Sequence, residues 1–325
     1  MIIDTAHYIC ALSSICQRAD SRGINNGYMK YYNYKKNFLG IEDDALCNYK
    51  QSKYVIQSAP YEYTSSYIAG SAKGPEAILK ASHFVEFYDE ELDQETYKLT
   101  GGICTIPPMD FKGKTNDKAV KLIAKETTKL LKDGKFPITL GAEHTITYGC
   151  MQAVAEKHPD VCVLQIDAHS DLREAYHGNP YSHASVMKRV HDMGIPITQI
   201  GIRAQCVEES DLIKSSKTLH TFYAHQVRNN ARWADEALKT LGKKVYISID
   251  ADGFDPSIVP AVGTAEPNGM LWNETCQFLQ RVADKCEVVG FDIVEIAPRK
   301  GDTLTEFTMA KLLYKLIGYI HNGSK

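Results

Sequence analysis

Several things that would assign this sequence to a class at once are missing from it. Nine cysteines occur, but no CxxC pair. The odd count and scattered spacing argue against a disulfide framework or a zinc knuckle. Reduced, mostly buried thiols in a cytoplasmic protein are the simpler reading. No apolar run approaches the roughly 20 residues that cross a bilayer, which argues against a membrane protein. Charge of either sign is not in excess: the formal net charge is −3, so there is no general attraction to nucleic acid or to an anionic membrane. No Lys or Arg precedes the mildly apolar stretch from Tyr8 to Cys16, so that stretch lacks the basic start of a signal peptide. Beyond about residue 50 there are no repeats, no low-complexity tracts and no linker.

What is present suits a globular protein. The chain has 325 residues, 44% hydrophobic and 24% charged, enough for one large core or two ordinary ones. Residues 1–36 read as an N-terminal extension without clean periodicity, polar and Tyr-rich from Ile24 to Asn37. It is expected either to be disordered or, with Met29 as the true start, to begin with a leader of residues 1–28. Residues 37–325 form the expected single domain. Within it, short apolar runs alternate with helical patterns. The strand candidates are "YVIQ" from Tyr54, "ICTI" from Ile103, "PITL" from Pro137 and "VCVLQI" from Val161. Four more are "ITQIGI" from Ile197, "HTFYA" from His220, "VYISI" from Val245 and "VVGFDI" from Val288. Asn116 is expected to cap a helix through "AVKLIAKETTKLLK" that Gly134 stops. "ETCQFLQRVADKC" has apolar spacing of three and four, and Asp302 or Thr303 opens a last helix ending near "IHNG". Unalternated Val, Ile and Leu runs indicate strands buried on both faces. Their alternation with helices predicts an α/β protein with a parallel sheet.

Polar residues gather where these strands end. Asp167, His169 and Asp171 follow "VCVLQI" at every second position, so they converge if the chain stays extended. Asp250 and Asp252 follow "VYISI", His144 follows "PITL" by way of Gly141, which permits a close turn, and Glu295 follows "VVGFDI". Ligands of open α/β sheets bind beyond the carboxyl ends of the strands. One Asp after a strand is usually a turn or cap residue. Four clusters at one edge would repel strongly unless cations neutralised them. Two His and four Asp without Cys suit Mn²⁺, with Ni²⁺, Co²⁺ or Fe²⁺ as alternatives. Six ligands suit two ions about 3.5–4 Å apart sharing carboxylates and a hydroxide. Four carboxylates cancel two divalent ions; the hydroxide and Glu295 then leave the pocket negative. It favours a cation such as a planar guanidinium, which pairs with a carboxylate in fork geometry. Metal-bound hydroxide is a nucleophile strong enough for its poorly electrophilic carbon.

These motifs resemble those of the ureohydrolases, the arginase–agmatinase family. "GAEHT" (Gly141–Thr145), "DAHSD" (Asp167–Asp171) and "SIDADGFDPS" (Ser248–Ser257) are similar to its three metal-binding signatures, in order. "FDIVEIAP" (Phe291–Pro298) is similar to its guanidinium-binding segment, and Ala59–Ile78 to its first strand–loop–helix. The resemblance implies a three-layer α/β/α fold with an eight-stranded parallel sheet, two Mn²⁺ per subunit, and a trimeric or hexameric homo-oligomer. It implies that His144, Asp167, Asp171 and Asp250 hold one ion. His169, Asp167, Asp250 and Asp252 would hold the other, with Asp167 and Asp250 bridging. Asp171 would orient the hydroxide and Glu295 would bind the guanidinium. His183, in "NPYSHAS", resembles the family's proton-shuttle histidine; the alternative is a loop histidine capping the helix that follows. The loop Leu172–Ser185 resembles the agmatinase version, so agmatine hydrolysis to putrescine and urea is the expected activity. The family's other activities are guanidinobutyrase, guanidinopropionase, arginase and formimidoylglutamase. "GAEH" lacks the second Gly and the Asp common in the family, and "TAEPNGM" (Thr264–Met270) lacks its commoner Pro and Gly pair, which leaves tail specificity open. A two-metal phosphoesterase also uses an Asp-x-His pair but needs "GNH[DE]" and "GHxH" segments, which this sequence lacks. An inactive regulatory subunit would be expected to lose ligands, and all six are intact.

Overall fold

The computed structural model describes residues 29–323; the expectation for residues 1–28 lies outside the described residues. All eight strand candidates form strands: β1 Tyr54–Ala59, β2 Ile103–Thr105, β3 Phe136–Gly141, β4 Val161–Ile166, β5 Ile197–Ile202, β6 Leu219–Tyr223, β7 Lys244–Asp250 and β8 Glu287–Val294. They pair in the order β2-β1-β3-β8-β7-β4-β5-β6, and every pairing is parallel. In β1, β3, β4 and β5 every residue is buried, because a parallel sheet is covered on both faces. Only the edge strand β6 is mostly half-buried.

Helices complete three layers. On one face lie α1 (Gly74–Ser82), and, later in the chain, Trp233–Thr240, Trp272–Lys285 and Leu304–Gly323. Their apolar sides, with Ile78, Phe278, Leu279 and Leu316, pack on Ile56, Ile247 and Phe291 of the sheet. The other face carries α2 (Asp117–Lys132), α3 (Ile146–Lys157) and α4 (Val186–Asp192), whose Ile123, Cys150, Val154 and Val190 cover Val163 and Ile197. Burying such side chains contributes about 1.5–3 kcal/mol each.

Two expectations change in detail. Asn116 does sit at the N-cap position of α2, but with φ +50° and no side-chain bond to the helix. Its Oδ1 instead accepts from Asn179 Nδ2 at 3.0 Å and its N–H donates to the Tyr61 hydroxyl at 2.8 Å, so it ties two loops above the sheet together. Gly141 is needed for close packing rather than for a turn: a Cβ there would lie 2.4 Å from the Ile146 side chain. Gly134, at φ +71°, stops α2 as expected, and Asp302 Oδ1 accepts from Leu304 N–H at 3.0 Å to open the last helix. Tyr31 and Tyr32, grouped with the extension in the sequence, lie against the sheet edge. Tyr31 is buried beside Tyr49 and Val55, and Tyr32 N–H donates to Thr105 C=O at 2.8 Å. Seven cysteines are described and all are free, six of them buried.

Candidate active site

After β3 the chain crosses over β8 and β7 to start β4 on their far side. That reversal opens a crevice at the carboxyl ends of four neighbouring strands, β3, β8, β7 and β4. These strands carry, in the same order, His144, Glu295, Asp250 with Asp252, and Asp167 with His169 and Asp171. The structure brings all seven together.

His144 Nδ1 lies 3.1 Å from Asp167 Oδ2, 3.0 Å from Asp171 Oδ2 and 3.4 Å from Asp250 Oδ2. His169 Nδ1 lies 3.0 Å from Asp252 Oδ2 and 3.8 Å from Asp167 Oδ1. Two trios therefore have donor atoms close enough to share an ion, His144–Asp167–Asp171 and Asp167–His169–Asp252. They have Asp167 in common. Asp250 stands with the first trio and accepts the Asp252 N–H at 2.9 Å on its other oxygen. The extended path anticipated through "DAHSD" does not persist: Asp171 has φ +55° and Glu295 φ +64°. Side chains rarely adopt this left-handed region, and such strain concentrates at functional sites. Asp171 reaches the cluster by a turn, not by strand alternation.

A buried relay holds His144. Its Nε2 bonds the Ser248 hydroxyl at 2.8 Å, and that hydroxyl donates to Asp292 Oδ1 at 2.8 Å. Asp292 Oδ2 accepts from Thr147 and Tyr246 at 2.9 and 2.8 Å. With Nε2 engaged, the buried Nδ1 has no hydrogen-bond partner among the described residues and faces carboxylate oxygens of Asp167, Asp171 and Asp250. A proton or a metal ion must stand among them. The ionisation follows from this crowding. Burial disfavours a charged His144, but Asp167, Asp171 and Asp250 outweigh it and raise its pKa well above normal. Burial likewise opposes, and Asp252 overcomes, to push His169 up to about 11. Burial and then Asp167 push Asp171 up to about 7. Two imidazoles and four carboxylates without a thiolate fit hard-to-borderline divalent ions.

A cleft of about 200 Å³ leads down to this cluster. Glu295 lines it and accepts the His144 N–H at 2.7 Å. Burial and then Glu143 raise its pKa well above normal. His183 also lines the cleft and does not cap the next turn: the Ser182 side chain does, accepting from Ala184 N–H. Burial, then the nearby His169 and His144, pull His183 down to about 4, so its ring is neutral. The segment 63–65, whose Ser65 lines the cleft, is gripped by Glu143. That carboxylate accepts the N–H groups of Tyr63 and Ser65 at 2.6 and 2.7 Å, and that of Thr64. Burial raises the Glu143 pKa while bonds from Thr64, Tyr63 and Ser65 pull it back. Arg203 ties the Asp252 turn to the rim, donating to the carbonyls of Asp252 and Glu266 at 2.6 and 2.9 Å.

The sequence reading missed Ser248, Asp292, Thr64 and the role of Glu143. Two of these had a signal. Ser248 and Asp292 interrupt strand runs buried on both faces, and a buried polar side chain requires a partner.

Fold and site together define a three-layer α/β/α protein with a carboxylate–imidazole centre suited to divalent metal ions. The chain belongs to the arginase family, whose model matches residues 52–318, and it is an agmatinase-like ureohydrolase that cleaves amidino carbon–nitrogen bonds. It is 40% identical over 296 residues to the N(1)-aminopropylagmatine ureohydrolase of Synechocystis sp., covering 89% of this chain and 95% of that one. It is 34% identical over 259 residues to the agmatinase of Bacillus anthracis, covering 77% and 86%. The crystal structure of the agmatine ureohydrolase of Thermoplasma volcanium superposes with a TM-score of 0.75 at 31% identity, over 88% of this chain and 94% of that one.

Proposed function

We propose that the chain hydrolyses agmatine to putrescine and urea, with two Mn²⁺ ions held by His144, Asp167, His169, Asp171, Asp250 and Asp252. The observation that carries this reading is the position of Glu295, a carboxylate lining the cleft beside the carboxylate–imidazole cluster. A cationic, planar head group is what such a cleft binds. When bound, the ions supply a water of lowered pKa and neutralise the carboxylates around it. The residues do the rest. Glu295 pairs with the guanidinium and fixes its carbon over the cluster. Asp171 accepts a hydrogen bond from the attacking water and so orients it. His183, neutral and at the cleft wall, takes up a proton and passes it to the departing amine, which leaves as putrescine while urea retains the guanidinium carbon. The Ser248–Asp292 pair keeps the His144 ring from turning.

One comparison favours a second reading. The relative at 40% identity bears the name N(1)-aminopropylagmatine ureohydrolase, and an agmatine with an aminopropyl extension has the same head group and a longer cationic tail. Urea release by Mn²⁺-loaded protein from agmatine, N(1)-aminopropylagmatine, arginine and guanidinobutyrate tests both. Fastest turnover of agmatine is expected. A clear preference for the aminopropyl compound transfers the assignment to the second reading, and no urea from any of the four overturns both. The chain is further proposed to act as a homotrimer or homohexamer in the cytoplasm; a light-scattering mass near 36.3 kDa, that of one chain, would contradict the oligomer. Among the described residues no helix is long and apolar enough to cross a membrane.

A further inference from the structure

We infer that Glu143 and Thr64 form a positioning relay that fixes the Nδ1–H tautomer of His183 and leaves its Nε2 lone pair free for the cleft. The inference rests on the reading above, in which His183 carries the proton.

The donor and acceptor count leads to it. Three peptide N–H groups, those of Tyr63, Thr64 and Ser65, converge on Glu143 Oε1; burial raises the pKa of this carboxyl, and these donors oppose the rise by favouring the anion. A carboxylate only accepts. The Thr64 hydroxyl, 2.7 Å from Glu143 Oε2, must therefore spend its one proton on Glu143. Thr64 Oγ1 is then left with two lone pairs. One receives the His183 peptide N–H at 3.1 Å. The other faces His183 Nδ1 at 2.9 Å, nearer than the Ser182 hydroxyl at 3.4 Å, and with no proton left on Thr64 Oγ1 to fill that short contact, Nδ1 is the donor. A neutral imidazole protonated at Nδ1 has its lone pair on Nε2. Among the described residues Nε2 has one hydrogen-bond contact, a marginal one to Ser66 Oγ at 3.5 Å, so it remains available to a proton from the cleft.

The same carboxylate thus does two things. It pins segment 63–65, and through the Thr64 hydroxyl it sets which nitrogen of His183, 119 residues from Thr64 in the chain, carries the proton. Gln at position 143 would reverse the relay. Its amide N–H would donate to Thr64 Oγ1, the Thr64 proton would turn to His183 Nδ1, and the ring would carry its proton on Nε2.

Neutron diffraction from deuterium-exchanged holoenzyme crystals, native and Glu143→Gln, with kinetics of two Thr64 variants, tests this. Deuterium is expected on His183 Nδ1, with the Thr64 O–D aimed at Glu143; in Glu143→Gln it is expected on Nε2. Thr64→Val, which removes the hydroxyl, should lower kcat at least about tenfold, within the usual contribution of a proton carrier. KM should stay within about threefold and metal content unchanged, the pattern of a lost transition-state interaction. Thr64→Ser should restore most of the lost turnover. Deuterium on Nε2 in the native enzyme, or a Thr64→Val kcat within about twofold of native, would overturn the relay. The neutron result needs no substrate. If the guanidino panel yields no urea, the function falls while the tautomer assignment is still decided on its own.

Discussion

His144 shows most plainly how single side chains make this site. Its imidazole is pulled from two sides, by the Ser248–Asp292 pair behind Nε2 and by three carboxylates before Nδ1. The acid side of the site predicts how loading depends on pH. Asp171 gives up its proton only near pH 7 and His169 holds one up to about 11. A divalent ion must displace those protons, so affinity rises with pH and falls as pH drops through 7. The slope should approach about tenfold per pH unit for each proton displaced. Calorimetric Mn²⁺ titration between pH 6 and 8 measures it; a flat profile would show that these groups are not the ligands. Replacement tests the sharing of ligands. Asp167 stands in both trios, so Asp167→Asn should cost both ions, and Asp250→Asn should do the same if Asp250 bridges. Asp252→Asn should cost chiefly the ion near His169. Elemental analysis after dialysis reads this as about two ions in the native chain; full Mn²⁺ in Asp250→Asn would remove Asp250 as a bridge.

Elements were legible in the sequence where burial alone dictates them. "VCVLQI" and "PITL" read as covered strands, and β4 and β3 are fully buried. Gly134 and Asp302 mark helix ends by local chemistry. Illegible were the features set by partners distant in the chain. The path of residues 63–65 depends on Glu143, about 80 residues on, and Asp171 needed a left-handed turn that no strand pattern announces. The all-round burial of the last helix is another such case. Residues Leu312–Ile320 are buried on every side, Lys315 included. Lys315 Nζ meets Asp89 at 2.9 and 3.0 Å and Glu91 at 2.8 Å, on a small hairpin over 200 residues earlier. Removing one partner of a buried pair leaves the other charge stranded, at about 3–5 kcal/mol. Lys315→Met should therefore lower unfolding free energy by roughly that amount in urea titration, and Asp89→Asn added to it should recover part. A loss below about 1 kcal/mol would mean that Asp89 is solvated in the variant.

Across the whole molecule, a chain with little net charge concentrates its carboxylates at one point. The formal net charge is −3, yet Glu143, Asp167, Asp171, Asp250, Asp252 and Glu295 meet at the ends of four adjacent strands. That field selects a cationic head group, and agmatine and arginine share one; they differ by an α-carboxylate. An anion entering the cleft loses water and needs donors in return, or it costs several kcal/mol. Two side chains of the loop after β4, Arg173 and Asn179, carry donors of that kind. Asn179 is already committed: its Nδ2 donates to Asn116 at 3.0 Å and its Oδ1 accepts from Tyr181 N–H at 3.0 Å. Arg173 lines the cleft, but its guanidinium lies over the Tyr176 ring at 5.4 Å, with Nε 4.0 Å from Glu209. Drawing it to a carboxylate would sacrifice both contacts. Agmatine makes no such demand. Its kcat/KM is therefore expected to exceed that of arginine by at least ~10²-fold, about 2.7 kcal/mol of transition-state discrimination. Urea release from the two at matched Mn²⁺ measures the ratio. Comparable efficiencies would mean that Arg173 leaves Tyr176 to meet the carboxylate, and Arg173→Ala would then depress arginine turnover alone.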